Sequence, residues 1–142
     1  MKPEYIIIHH SLTKDSKTVS WDAIRNYHTK TLGWNDIGYH YGIELVGDHY
    51  EVLKGRFDNE QGAHARGVNH LSLGICFVGN FDVTPVPKAQ WDLGISLVRS
   101  LCDGLNIPTY RVYGHHWFDQ HKSCPGKLFD ITAFKAAIKG AT

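Results

Sequence analysis

The stretch YGHHWFDQHKSCPGKLFD, residues 113–130, brings His115, His116, His121, Lys122 and Cys124 together within ten positions. Imidazoles and a thiolate are good zinc ligands, and an ammonium beside them can stabilise developing negative charge. A second pair, His9 and His10, follows the apolar run Tyr5–Ile8 near the start of the chain. One histidine of each pair joining Cys124 would make three protein ligands. That leaves a fourth position for water, which distinguishes a catalytic zinc site from a closed structural one. Cys124 follows nine residues after His115, room enough for a loop to curl back. The chain carries 10 histidines, however, so scattered surface imidazoles are the plainer reading of the same residues. Spacing alone leaves open which histidine of each pair binds. A fourth ligand from His10 or His116 would close the shell and make the metal structural.

These side chains can meet only if the elements between them converge. YIII (Tyr5–Ile8) is a short, β-branched apolar run that reads as a central strand ending at His9. SWDAIRNYHTKTLG offers Ser20 as N-cap, Trp21, Ile24 and Tyr27 or His28 at helical spacing, and Gly33 as a stop. YHYGIELV and HYEVL flank Gly47-Asp48, a hairpin signal. LSLGICFVG reads as a second buried strand. After a turn region with Pro85 and Pro87, AQWDLGISLVRSLCDGL sets Trp91, Ile95, Val98 and Leu101 or Cys102 on one helix face, with Gly104 as its end. YRVY is a short strand delivering His115, and Asp130 caps a last helix, DITAFKAAIKG. The expected fold is therefore α/β, a single domain over residues 1–142. Its central β-sheet is mixed because of the hairpin, with helices packed on both faces. His9 and His115 then stand at strand ends, where sheets of this kind bind ligands.

Composition narrows the function. A chain of 142 residues is one domain by size and can bury a real core. With 42 % hydrophobic and 20 % charged residues it has an ordinary globular balance. Fifteen basic and fourteen acidic residues give +1 without a basic stripe, so neither nucleic acid nor a membrane surface is an expected partner. The apolar runs are too short to span a bilayer, and MKPEYIIIHH lacks the pattern of a signal peptide. Synthesis and first residence in the cytoplasm are expected. Three cysteines make an odd count without close spacing, so no disulfide framework is expected. Cys76 and Cys102 sit in apolar patterns and read as small buried hydrophobes. Cys124 sits in a polar loop and needs another role.

Five segments, taken in order, carry a resemblance. IIHHSLT at 7–13, GWNDIGYHYGIE at 33–44, EVLKGR at 51–56, GAHARGVNHLSLGICFVGNF at 62–81 and GHHWFDQHKSCPG at 114–126 resemble the zinc-dependent N-acetylmuramoyl-L-alanine amidases of type 2. That family includes amidase-type phage lysozymes and is similar in fold to the peptidoglycan recognition proteins. By motif, the resemblance implies one zinc ion per chain held by His9, His115 and Cys124. It places Tyr39 and Lys122 on catalytic positions, and His64 and Asn69 in the segment lining the substrate groove. The implied substrate is bacterial peptidoglycan or its muropeptides, and a monomer is expected. A cytosolic branch resembles this family but uses a carboxylate as third ligand, so Cys124 points to the phage lysozymes and recognition proteins. Recognition proteins are usually secreted and disulfide-bonded, which this sequence does not suggest. A phage or prophage endolysin, reaching the wall once the membrane is opened, is the expected role. The rival is a non-catalytic peptidoglycan-binding module, but such modules typically lack the cysteine ligand.

The chemistry agrees with that register. The bond between the lactyl group of muramic acid and L-alanine is an unactivated amide, so its hydrolysis needs a strong nucleophile and a stabilised oxyanion, which zinc can supply. Lys122 would face the charge developing on the tetrahedral intermediate, and Tyr39 would donate a hydrogen bond or relay a proton. Outside the family register Lys122 reads as a solvated loop lysine and Tyr39 as an amphipathic strand residue. Trp91 reads as helix core, while Trp34 and Trp117 are placed to stack on sugar or peptide.

Overall fold

The computed structural model describes residues 1–12 and 20–139. Thr13 of the first motif and Gly140 of the DITAFKAAIKG segment lie outside the described residues. Strand β1 (Tyr5–His10) is followed by helix α1 (Trp21–Asn26), β2 (Tyr41–Val46), β3 (His49–Lys54), β4 (Ser72–Phe77), α2 (Lys88–Leu105), β5 (Val112–Gly114) and α3 (Ile131–Lys139). The strands form one sheet in the order β3-β2-β4-β1-β5. β1 runs parallel to both its neighbours, β4 and β5, and β2 runs parallel to β4. The hairpin strand β3 is antiparallel to β2, so the sheet is mixed as expected.

Alternation along the strands sorts two faces. Ile6, Ile8, Leu73, Ile75, Phe77 and Val112 face α2 and α3, meeting Val98, Leu101, Phe134 and Ile138 in the main core. On the opposite face Trp21 and Ile24 of α1 pack with Ile37, Cys76 and Val78. Helices therefore cover both faces. His9 is in register with Cys76, so its side chain belongs to the α1 face.

Both N-caps act as read. Ser20 accepts the N–H of Ala23 at 3.2 Å, and Asp130 accepts that of Ala133 at 2.9 Å. Several boundaries differ. β1 continues through His10. The α1 hydrogen bonding stops at Asn26 and widens into a π turn over Tyr27–Thr31, closed by Leu32 N–H to the Tyr27 carbonyl at 3.0 Å. Gly33, at φ +76°, then ends the element. Helix α2 runs through Gly104 and stops at Asn106, which takes the left-handed conformation at φ +56° and donates its N–H to the Cys102 carbonyl. Asparagine tolerates that conformation, so the glycine was not needed to end the helix. Finally, Tyr110 and Arg111 belong to a 3-10 turn, and the strand proper begins at Val112.

Candidate active site

Parallel pairing of β1 with β5 aligns Ile8 with Gly114. His115, one residue on, therefore comes alongside His9, with ring centroids 4.5 Å apart. The following loop returns Cys124 to the same point. His116 donates its backbone N–H to the Cys124 carbonyl at 2.8 Å, and its Nδ1 lies 3.1 Å from that oxygen. Asp82 anchors the far side, accepting from Ser123 Oγ and from the N–H of Lys127, both at 2.9 Å. The Cys124 sulfur accepts the backbone N–H of His10 at 3.3 Å and sits 3.7 Å from His9 Nδ1.

The donor atoms of His9, His115 and Cys124 all lie within 4.8 Å of one another. Tetrahedral zinc, with Zn–N of about 2.05 Å and Zn–S of about 2.3 Å, separates nitrogen from sulfur by about 3.5 Å. The observed 3.7 Å is close to that spacing, so these residues fit the ion. Among the described residues no further histidine, cysteine or carboxylate joins the group. His10 turns to the other face, where Nδ1 accepts the N–H of Phe81 at 3.1 Å. His116 is occupied with the Cys124 carbonyl, and His121 is exposed. Strand alternation and loop geometry thus bring His9 and His115, rather than His10 or His116, beside Cys124.

Electrostatics favours ligation by neutral imidazoles. Burial, reinforced by His64 and His115, holds His9 well below the usual histidine range. Burial followed by the charge of Lys122 lowers His115. The Cys124 thiol is pushed up to about 12 by burial, against the opposing pull of the His10 N–H and Lys122. Without a metal it keeps its proton near neutrality, so a bound cation must displace that proton.

Tyr39 precedes β2 rather than lying within it, and its ring centre is 5.2 Å from that of His9. Arg56 holds this segment. Its backbone N–H donates to the Tyr39 carbonyl at 3.0 Å, while its guanidinium reaches the carbonyls of Ile37 at 2.9 Å and Gln61 at 2.8 Å. Burial, then the Cys76 and Cys124 thiols, raises the Tyr39 phenol well above its ordinary range, so it remains a proton donor. Lys122 is exposed at the mouth. With Trp34, His64, Arg66, Asn69 and His115 it lines a cleft of about 410 Å³.

Asn69 accepts the backbone N–H groups of His64 and Ala65 at 2.8 Å each, fixing the loop that carries His64. His64 Nδ1 lies 2.9 Å from His9 Nε2. Burial, then His40, drives His64 down to about 3. Trp117 lies outside the cleft, exposed and stacked on Tyr113 at 5.3 Å. Trp91 packs against Phe129 and Phe134, as read from the helix pattern. Arg56 and Arg66 are additions to the candidate residues. Arg56 closes the EVLKGR segment, where only its place in a motif marked it.

Residues 1–127 match the family model described as N-acetylmuramoyl-L-alanine amidase, and the chain belongs to that family. The endolysin of Klebsiella phage KP32 is 35 % identical over 128 residues, covering 89 % of this chain and 81 % of the phage protein. Peptidoglycan-recognition protein SC2 of Drosophila melanogaster is 34 % identical over 128 residues, covering 86 % of this chain and 67 % of the relative. Among solved structures, the endolysin N-acetylmuramoyl-L-alanine amidase LysCS from Clostridium intestinale superposes with a TM-score of 0.86 at 32 % identity. That likeness covers 98 % of this chain and 85 % of LysCS.

Proposed function

We propose that this chain is a zinc-dependent N-acetylmuramoyl-L-alanine amidase, one catalytic domain that cuts the amide between N-acetylmuramic acid and L-alanine in bacterial peptidoglycan. The observation that carries the reading is the convergence of the His9, His115 and Cys124 donors within 4.8 Å at the strand ends, beside the cleft. A zinc ion bound there supplies Lewis acidity toward the amide carbonyl and lowers the pKa of water to about 7.

The protein's own groups do the rest. Lys122 lines the mouth of the cleft, where its side chain can face the negative charge gained by the carbonyl oxygen. Tyr39, held protonated, donates a hydrogen bond to the same developing charge or passes a proton to the departing amine. His64, Asn69 and Trp34 line the cleft and contact the glycan or stem peptide. Water adds across the amide, leaving a lactyl carboxylate and a free L-alanine amino group.

The same reading makes the chain a monomeric phage or prophage endolysin, made in the cytoplasm and acting on the wall after the membrane is permeabilised. No helix among the described residues is long and apolar enough to cross a membrane. The test is end-group analysis of digested peptidoglycan. L-alanine amino termini should appear without new reducing sugars. New reducing ends would make the chain a glycosidase, and binding without either product would make it a recognition module.

A further inference from the structure

Both ring nitrogens of His64 have defined partners. Nε2 lies 3.3 Å from the Ser72 carbonyl oxygen and 3.4 Å from Ser72 Oγ. The carbonyl can only accept. The Ser72 hydroxyl is committed elsewhere, donating to the Val68 carbonyl at 2.7 Å, so toward His64 it too can only accept. A neutral His64 therefore carries its proton on Nε2 and keeps a lone pair on Nδ1. That lone pair faces His9 Nε2 at 2.9 Å, a hydrogen-bond distance that requires one proton between the rings. Only His9 can supply it. With Nε2 protonated, His9 has a bare Nδ1, the nitrogen 3.7 Å from the Cys124 sulfur.

We propose that His64 is a positioning residue for the metal: by accepting the Nε2–H of His9 it fixes that imidazole in the tautomer, and at the angle, that presents Nδ1 to the ion. The inference rests on the zinc reading of the site and gives His64 a task beyond lining the cleft. The surroundings are built for it. A Cβ on Gly74 would stand 2.5 Å from His64 Cγ, so only glycine there seats the ring against β4. Asn69 clamps the backbone at His64 and Ala65. The chain of donors thus runs from His9 through His64 to Ser72, whose own hydroxyl donates on to Val68.

An imidazole in the other tautomer would point an N–H at the metal position, and its ring would be free to rotate. Losing such an outer partner typically weakens metal affinity about 10- to 100-fold. The test compares zinc dissociation constants, by competition with a chromophoric chelator, for wild type, His64→Leu and His64→Asn. Leucine keeps the bulk but has no acceptor; the asparagine carbonyl can take the place of Nδ1. His64→Leu should bind zinc about 10- to 100-fold more weakly, and His64→Asn should recover most of the loss. Long-range 1H–15N spectra of zinc-free wild type should show His9 protonated on Nε2. Unchanged affinity in His64→Leu, or an Nδ1–H tautomer at His9, would overturn the inference while leaving the amidase reading intact. Should His64→Leu fail to fold, the wild-type tautomer decides alone. Wild-type protein that takes up no zinc at all would overturn the metal reading itself, and this inference with it.

Discussion

The sulfur of Cys124 lies 3.7 Å from Nδ1 of His9, although 115 positions of sequence separate the two residues. Burial there pushes the thiol up to about 12, so the metal-free site holds S–H near neutrality and zinc must expel that proton. His9 and His115 are lowered by burial and are neutral at pH 7, so they release none. The sign follows. Raising pH favours the thiolate and tightens zinc binding, by about tenfold per pH unit between about pH 7 and 9, with one proton released. Lowering pH weakens it, more steeply once the two imidazoles protonate. Chelator competition at several pH values checks this, and a flat profile would contradict a thiol ligand.

Tyr39→Phe removes one hydroxyl and Lys122→Ala one exposed ammonium, and neither residue is among the donors that meet near the proposed ion. Both variants should keep zinc stoichiometry and thermal stability while turnover on peptidoglycan falls about a hundredfold or more. A variant with near wild-type turnover removes that residue from the mechanism.

Two glycines of α2 should respond oppositely to alanine. At Gly104 an added Cβ meets nothing within 4 Å, so helix propensity alone acts and Gly104→Ala should stabilise by about 0.5–1 kcal/mol. At Gly94 the same Cβ would stand 2.3 Å from Phe77 Cζ, inside the core. Overpacking of about 1–3 kcal/mol outweighs the propensity gain, so Gly94→Ala should be net destabilising. Denaturant unfolding of the two variants decides. A destabilised Gly104→Ala would restore Gly104 as the helix stop.

Much of this architecture was legible because its signals are local. The run YIII, the Gly47-Asp48 turn and the Ser20 and Asp130 caps each depend on a few adjacent residues. The boundaries that moved depend on hydrogen bonding that sequence periodicity does not encode: the π turn after Asn26, and the left-handed Asn106 that lets α2 pass Gly104. On that helix the buried face includes Gln90 and Gly94, which no hydrophobic pattern marks. Gln90 is there because its Nε2 donates to the carbonyls of Ile43 at 2.9 Å and Val78 at 3.1 Å.

The candidate site divides in the same way. The convergence of His9, His115 and Cys124 was readable from strand ends together with family register. Register alone placed Lys122 and Tyr39 near the site. The contact of His64 with His9 was hidden, because it depends on the missing side chain of Gly74 in a strand distant in sequence from β1. Trp117 misled, since its motif neighbours face the site while its own ring turns outward onto Tyr113.

The central claim is that Cys124 completes a zinc site whose loss abolishes hydrolysis. The measurement is zinc per chain after dialysis against a mild chelator, taken for wild type, Cys124→Ala and His121→Ala, with amidase activity on the same samples. His121 is exposed and stands apart from the donor group, so its variant should match wild type, with one zinc and full turnover. Cys124→Ala should be metal-poor and inactive. Full zinc in Cys124→Ala, or loss of zinc in His121→Ala alone, would contradict the account.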